Sequence, residues 1–328
     1  MEGIITAWGK ILRGYHPSLS IEITRECPLR CPGCYAYGSE HLGGDINLRQ
    51  VTDYKGQELI DRVLALVEAE QPIHVSIVGG EPLVRFRELD TILPALAAKG
   101  IYTQLVTSAV RPIPEQWAAI RRLQLVVSID GLQPEHDARR TPATYDRILK
   151  HIAGHKVTVH CTVTRQQVQR DGYLDDFVKF WSANPNVAQL WFSLYTPQVG
   201  EVAPEILTPD DRQRVIAALM SLRVRYPKIG MPEGLVKQYA TPPTTPEECV
   251  FALTTSCVSA DFERRITPCQ FGGNPDCSQC GCIASAGLKA VGAHRLAGGI
   301  RVGAIFETSV KIGKRLRDRR ERDREQVA

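Results

Sequence analysis

Cys27, Cys31 and Cys34 share one short loop, Glu26-Cys27-Pro28-Leu29-Arg30-Cys31-Pro32-Gly33-Cys34, with the spacing C-x3-C-x2-C. A cubane iron–sulfur cluster ordinarily takes four thiolates. Three thiolates hold three of its irons and leave the fourth an open position, as catalytic metal sites do. A structural zinc is the competing reading, with His41 as its fourth ligand. A disulfide framework is excluded, because a chain of 328 residues needs no such staples and no signal-peptide pattern is read in it.

Other residues of chemical interest follow. In Gly79-Gly80-Glu81-Pro82 the glycines let backbone approach a ligand closely, and Glu81 offers a carboxylate to an ammonium group. Ser128-Ile129-Asp130-Gly131 precedes His136-Asp137-Ala138-Arg139-Arg140; Ser128 and Asp130 also read as a strand-end turn with an Asx cap. Cys249, Cys257, Cys269, Cys277, Cys280 and Cys282 then fall within 34 residues. Such density in a reducing compartment favours a metal centre over disulfides, either iron–sulfur or a zinc knuckle. Ser259–Pro268 looks like a hairpin delivering Cys269. The ligand set read here is Cys257 or Cys249, with Cys269, Cys277 and either Cys280 or Cys282. Cys161, His160 and His74 lie within strand-like runs and read as core.

The elements that must position these residues alternate strand and helix. Strand-like runs are Ser20–Thr24, His74–Val78, Tyr102–Thr107, Leu123–Ile129, Val157–Thr164 and Gln189–Tyr195. Helical stretches are Tyr54–Glu70, Phe86–Lys99, Pro114–Arg122, Thr144–His155, Gly172–Ala183 and Pro209–Arg225. Near-continuous apolar strands alternating with helices predict an α/β fold with a parallel sheet. Right-handed crossovers curl six such units into a partial (β/α)6 TIM-like barrel. The cysteine loop, Gly79-Gly80-Glu81 and Asp130 all fall at carboxyl ends of strands, where such folds place their chemistry.

The cysteine loop after strand one and the Gly-Gly-Glu turn after strand two together resemble the radical S-adenosylmethionine (SAM) superfamily. That resemblance implies a 4Fe-4S cluster on Cys27, Cys31 and Cys34, with its open iron chelated by SAM. It implies that Gly79, Gly80 and Glu81 meet the amino group of SAM. Ser128, Asp130 and a later Arg would lie near its ribose and carboxylate or near substrate. The implied reaction is reductive cleavage of SAM to a 5′-deoxyadenosyl radical, serving an oxidoreductase or transferase activity. An electron donor such as flavodoxin or ferredoxin is the implied partner. Relatives often place an aromatic residue where this chain has Gly33, so Tyr35 or a strand-six side chain is expected to replace it. Thr107-Ser108-Ala109 differs from the family's Thr-Asn-Gly, and no role is carried over.

The second cysteine group resembles the SPASM/twitch extension, which holds auxiliary iron–sulfur clusters. Cys249 and Cys269 fit that extension's first unit if Arg264 stands in its Gly place, and of its later spacing only C-x2-C is kept, at Cys277 and Cys280. The expected organisation is a lead over 1–18, a core barrel over 19–240, a cysteine-rich auxiliary region over 241–285 and a helical tail over 286–328. The short lead tilts the substrate expectation toward a small molecule or lipid, and the layout loosely resembles the adenosylhopene synthase branch. A SPASM-type peptide or protein maturase is the alternative. A non-catalytic iron–sulfur or zinc protein for electron transfer or scaffolding is the alternative from another class.

Net charge is +4, and residues 311–328, with eight Lys/Arg and four Asp/Glu, account for all of it. The rest of the surface therefore makes no case for nucleic acid. The tail, with apolar Leu288, Val291, Leu296, Ile300, Val302 and Ile305 before the basic Lys311–Arg324, reads as a solvated helix or a weak membrane-surface contact. No apolar run reaches the roughly 18 residues of a membrane span. The expected location is the cytoplasm, with that peripheral contact as its one qualification.

Overall fold

The computed structural model describes residues 2–142, 145–295, 299 and 301–325. Seven parallel strands form one sheet: β1 (Ser18–Glu22), β2 (His74–Val78), β3 (Tyr102–Thr107), β4 (Leu123–Ser128), β5 (Val157–Val163), β6 (Val187–Leu194) and β7 (Thr255–Val258). Their order is β6-β5-β4-β3-β2-β1-β7, so β6 and β7 are edges and the sheet stays open. The helices are α1 (Glu2–Leu12), α2 (Gly56–Glu70), α3 (Phe86–Ala98), α4 (Gln133–Arg139), α5 (Tyr145–His151), α6 (Arg165–Val168), α7 (Tyr173–Ala183), α8 (Pro209–Arg225), α9 (Glu233–Gln238), α10 (Val250–Thr254), α11 (Ile283–Ala293) and α12 (Val302–Glu325). This is the expected partial TIM-like α/β architecture, with one strand more than the six anticipated.

The strands are less uniformly apolar than expected. Ile21, Ile77, Leu105 and Leu125 stand in register across β1 to β4 and belong to the main core. The neighbouring register row is Ser20, Ser76, Gln104 and Gln124. Because successive side chains alternate faces, one face of the sheet is an apolar floor for the helices, and the other starts with this polar row and continues through Val78, Val106 and Val126. Each core Leu or Ile contributes about 1.5–3 kcal/mol by leaving water.

Local signals explain most boundaries. Thr208 caps α8 by accepting from the Asp211 backbone N–H (3.1 Å), and the Asp211 carboxylate accepts in return from the Thr208 N–H (3.1 Å). The helix expected over Pro114–Arg122 is only a 3-10 turn, Glu115–Ala119. Ile120 is already extended and β4 begins at Leu123, which leaves no room for a further turn. Strand β7, which pairs with β1, was not foreseen. Its sequence, Thr255-Ser256-Cys257-Val258, has one strong apolar β-former and is too short to display a period. The hairpin expected after it exists in minimal form: Val258 bridges Arg265 antiparallel.

The chain ends meet. α1 packs on α12, with Trp8 and Phe306 edge to face at 5.8 Å. Gly313 lies so close to Ile11 that a Cβ there would stand 1.9 Å from the Ile11 carbonyl oxygen. Thr144, Leu296 and Ile300, named above, lie outside the described residues. Among the described residues no helix is long and apolar enough to cross a membrane.

Candidate active site

The loop carrying the three cysteines leaves the carboxyl end of β1 and is pinned to the turn after β2. The Gly80 N–H donates to the Thr24 carbonyl (2.8 Å) and the Glu81 N–H to the Glu26 carbonyl (2.8 Å). A Cβ on Gly80 would lie 2.2 Å from the Glu26 oxygen, so the two backbones approach as closely as they do only because residue 80 lacks one. Gly79, at φ +122°, packs on the end of β1, where a Cβ would lie 2.9 Å from the Thr24 carbonyl oxygen. Gly80→Ala is expected to displace the cysteine loop at a cost of about 1–3 kcal/mol. Iron per chain should then drop by the share the loop holds, in a protein whose circular dichroism is unchanged.

Behind this turn, Glu81 is 1 % exposed. Its carboxylate accepts from the Leu83 N–H (2.9 Å), the Ser108 N–H (2.7 Å) and the Thr107 hydroxyl. Burial pushes its carboxyl upward, while those three bonds and Arg140 pull it back. Glu81 thus ties the ends of β2 and β3 together, and only its remaining lone pairs could face an ammonium group. Thr107 and Ser108, for which the resemblance carried no role over, are its partners.

Asp130 follows β4 and is 5 % exposed. It accepts from Arg140 Nε at 2.8 Å and lies 3.7 Å from Arg139 Nε. Burial raises its carboxyl, but Arg140 and Arg139 outweigh that and hold it at about 2. Arg140 also donates to Ser108 Oγ (3.0 Å), and its charge reaches Cys31 and Cys34. The Asx-cap reading of Asp130 gives way to an ion pair that carries a guanidinium to the cysteine loop. Ser128 stands in register with His160, whose Nε2 lies 2.8 Å from Ser193 Oγ. His160 therefore lies on the face of the polar row rather than in the apolar core, and burial lowers it to about 4. Cys161, by contrast, is core at 1 % exposure.

The three thiols line two adjoining clefts that share Arg49. One, of about 510 Å³, is lined by Cys31, Gly33 and Cys34, and the other, of about 470 Å³, by Cys27. Arg49 lies over the Tyr37 ring at 3.9 Å. Gly33 faces Tyr195, just past the end of β6: a Cβ there would lie 3.6 Å from the Tyr195 hydroxyl. Among the described residues no three His, Cys, Asp or Glu side chains converge tightly enough to share a single ion. A zinc with bonds of about 2.3 Å needs its sulfurs within about 4 Å of one another, whereas a cubane seats each thiolate on its own iron. His41 has both ring nitrogens engaged, by Glu22 and by the Phe271 carbonyl, which removes it as the fourth ligand of the zinc reading. Soft thiolate donors in one loop beside these clefts fit a cluster held by Cys27, Cys31 and Cys34.

Burial pushes the Cys27 thiol up to about 11 and those of Cys31 and Cys34 in the same direction. Raised thiols stay protonated near neutral pH, and binding iron must displace those protons. Iron retention therefore strengthens as pH rises toward the raised values and weakens as pH falls. Against a chelator, corrected for its own protonation, iron loss should be greater at about pH 6.5 than at about pH 8.5, by up to about tenfold per unit for each thiol. A pH-independent loss would contradict this.

The six later cysteines gather in one neighbourhood. Cys249, Cys257 and Cys280 all act electrostatically on Cys269, and Cys280, Cys269 and Cys249 act on Cys282. Arg212 fixes the loop by donating to the carbonyls of Cys280 (3.1 Å) and Gln279 (2.5 Å), and the Leu194 N–H donates to the Gly281 carbonyl (2.9 Å). Cys249 Sγ lies 3.3 Å from Ser285 Oγ. The segment therefore runs from the β1–β7 side, at Cys269, to the end of β6, at Cys282.

Residues 21–164 match the family model described as the radical SAM superfamily. The PqqA peptide cyclase of Rhizobium meliloti (strain 1021) is 32 % identical over 119 residues, which is 35 % of this chain and 29 % of that protein. The 7-carboxy-7-deazaguanine synthase of Hyperthermus butylicus is 30 % identical over 105 residues, 31 % of this chain and 39 % of that protein. The matched segments thus span well under half of these curated relatives. In fold, Streptococcus suis SuiB bound to its precursor peptide SuiA superposes with a TM-score of 0.59 at 15 % identity, covering 86 % of this chain and 67 % of that one. The structure of anSMEcpe with AdoMet and the Cp18Cys peptide gives 0.55 at 17 % identity, covering 82 % and 79 %. The segment that the family model recognises, residues 21–164, is the one bearing the three-cysteine loop and the Gly-Gly-Glu turn, and that segment is a radical SAM domain.

Proposed function

We propose that this chain is a radical SAM enzyme of peptide maturation, with Cys27, Cys31 and Cys34 holding the 4Fe-4S cluster that binds SAM. The bound cluster and SAM supply the radical chemistry, with the electron coming from a flavodoxin or ferredoxin. The chain's own residues hold and shield. The Glu81 bracket fixes the cysteine loop, Arg140 presents a cation to a carboxylate beside it, and the strands exclude solvent from the reacting space. The C-terminal cysteines are read as the seat of an auxiliary cluster, with Cys269, Cys277, Cys280 and Cys282, and Cys249 or Cys257, as its candidates.

The observation that carries the substrate class is the polar row on one face of the sheet. Ser76, Gln104 and Gln124 are half-buried in one register row, with Ser128, His160 and Ser193 further along. Gln124 already donates to Thr158, and His160 is paired with Ser193, but a hopanoid-like lipid would offer no partner to Ser76, Gln104 or the remaining amide oxygen of Gln124, at about 1–3 kcal/mol for each group left unpaired. A peptide, rich in amides, can satisfy them. The likeness to PqqA peptide cyclase points the same way, so the small-molecule or lipid expectation yields to the maturase alternative. A polar heterocycle is the second reading, favoured by the likeness to 7-carboxy-7-deazaguanine synthase.

The test is anaerobic incubation of the reconstituted, dithionite-reduced protein with SAM and a precursor peptide encoded beside its gene. Release of 5′-deoxyadenosine coupled to a mass change in that peptide is expected. Coupling to a lipid extract instead would overturn the peptide reading.

A further inference from the structure

Between the two cysteine groups lies a buried polar contact that the function above leaves unused. Glu22, the last residue of β1, and His41 each have side chains 0 % exposed. His41 Nε2 stands 2.8 Å from Glu22 Oε1, and Nδ1 stands 3.0 Å from the Phe271 carbonyl oxygen. A carbonyl only accepts, so Nδ1 is the donor there. The Nε2 contact then holds one proton, shared with the carboxylate. The other Glu22 oxygen accepts from the Ser259 hydroxyl at 3.1 Å.

Both cysteine segments close on this pair. Tyr35, directly after Cys34, meets the His41 and Phe271 rings edge-on, each at 5.6 Å. Its hydroxyl accepts from Gln270 Nε2 at 3.1 Å, and Gln270 Oε1 accepts from Ser20 Oγ at 3.0 Å. Gln270 and Phe271 directly follow Cys269. Gly272, at φ +64°, packs so tightly that a Cβ would lie 2.0 Å from the His41 oxygen and 2.6 Å from its Nδ1. A sealed, fully bonded pair tolerates one geometry, because any displacement leaves a buried polar group without its partner. Movement at Cys34 therefore reaches Cys269 through two residues on each side.

We propose that His41 is a positioning residue that couples the two cysteine groups: its Nδ1–H, on a ring seated by Glu22, ties the Phe271 carbonyl to the loop that follows Cys34, so occupancy of either group by its cluster steadies the ligand loop of the other. The proposal rests on the reading that both groups bind iron–sulfur clusters. Coupling of this kind is reciprocal.

Four variants test it: His41→Phe, His41→Asn, His41→Gln and Gly272→Ala. Phe keeps the ring and loses both bonds. Asn places its amide near the Nδ1 position and keeps the Phe271 contact, while Gln reaches the Nε2 position and keeps only Glu22. Gly272→Ala pushes the Cys269 segment off His41 without altering His41 or Glu22, which keeps the test open should His41→Phe fail to fold. The readouts are iron per chain after anaerobic reconstitution and the electron paramagnetic resonance (EPR) signal of the reduced N-terminal cluster. In the wild type, Cys269→Ser should alter that N-terminal signal. In the His41→Phe and Gly272→Ala backgrounds the same substitution should leave it unaltered, and both backgrounds should bind less iron than the wild type. His41→Asn should restore the response and His41→Gln should not. An N-terminal signal that never responds to Cys269→Ser, or equal rescue by Asn and Gln, would overturn the coupling alone. A wild-type protein that assembles no cluster would overturn it together with the function it rests on.

Discussion

Replacing Cys27, Cys31 and Cys34 together with alanine is expected to abolish reductive cleavage of SAM while leaving the iron of the C-terminal cysteine group in place. The two groups draw on different segments. The first hangs on the loop between β1 and Glu81; the second is fixed by Arg212 and by the Leu194 bond to Gly281. With about four irons per cubane cluster, the iron count should fall from about eight per chain to about four. Some further loss at the second group is compatible with the His41 contact, but all of it is not. Retained 5′-deoxyadenosine formation in the triple variant would remove the assignment of the loop.

Arg140→Ala should have the second largest effect, and on two readouts at once. Asp130 is nearly sealed, and Arg140 Nε is its short partner at 2.8 Å, with Arg139 more distant at 3.7 Å. Removing one partner of such a pair strands a buried carboxylate, which costs roughly 3 kcal/mol. It also withdraws the cation that reaches Cys31 and Cys34. Stability should fall by that amount, and SAM affinity should fall at least tenfold with the cluster still assembled. The double variant Asp130→Asn/Arg140→Ala separates the two effects. It should regain much of the stability, since no charge is left stranded, and none of the affinity. Full recovery of SAM binding in the double variant would show that Arg140 acts on folding alone.

Much of this site was legible because its parts are local. The three cysteines and the Gly-Gly-Glu turn declare themselves by spacing, and the strands that carry them follow runs of Val, Ile and Leu that no tertiary contact overrides. What stayed hidden depends on pairing across the sheet. The polar row of Ser20, Ser76, Gln104 and Gln124 draws one residue from each of four strands, so no single segment announces it. The Asp130–Arg140 pair was visible as a motif, yet its grip on Ser108 needed the β3 and β4 ends side by side. His41 looked like a spare ligand because its partners, Glu22 and Phe271, lie 19 and 230 residues away in sequence. In sequence Glu81 reads as a carboxylate offered to an ammonium group; its partners in the structure, Leu83, Thr107 and Ser108, come together only where the ends of β2 and β3 meet.

On the proposed function, the loop of Cys27, Cys31 and Cys34 presents an iron with a free coordination position to SAM. Titrating SAM into the anaerobically reconstituted, reduced protein while following its EPR spectrum tests this most directly. A saturable change in the g-values of one cluster is expected, absent in the Cys27/Cys31/Cys34 triple variant. A spectrum that stays the same at saturating SAM, in protein with a full complement of iron, would contradict it.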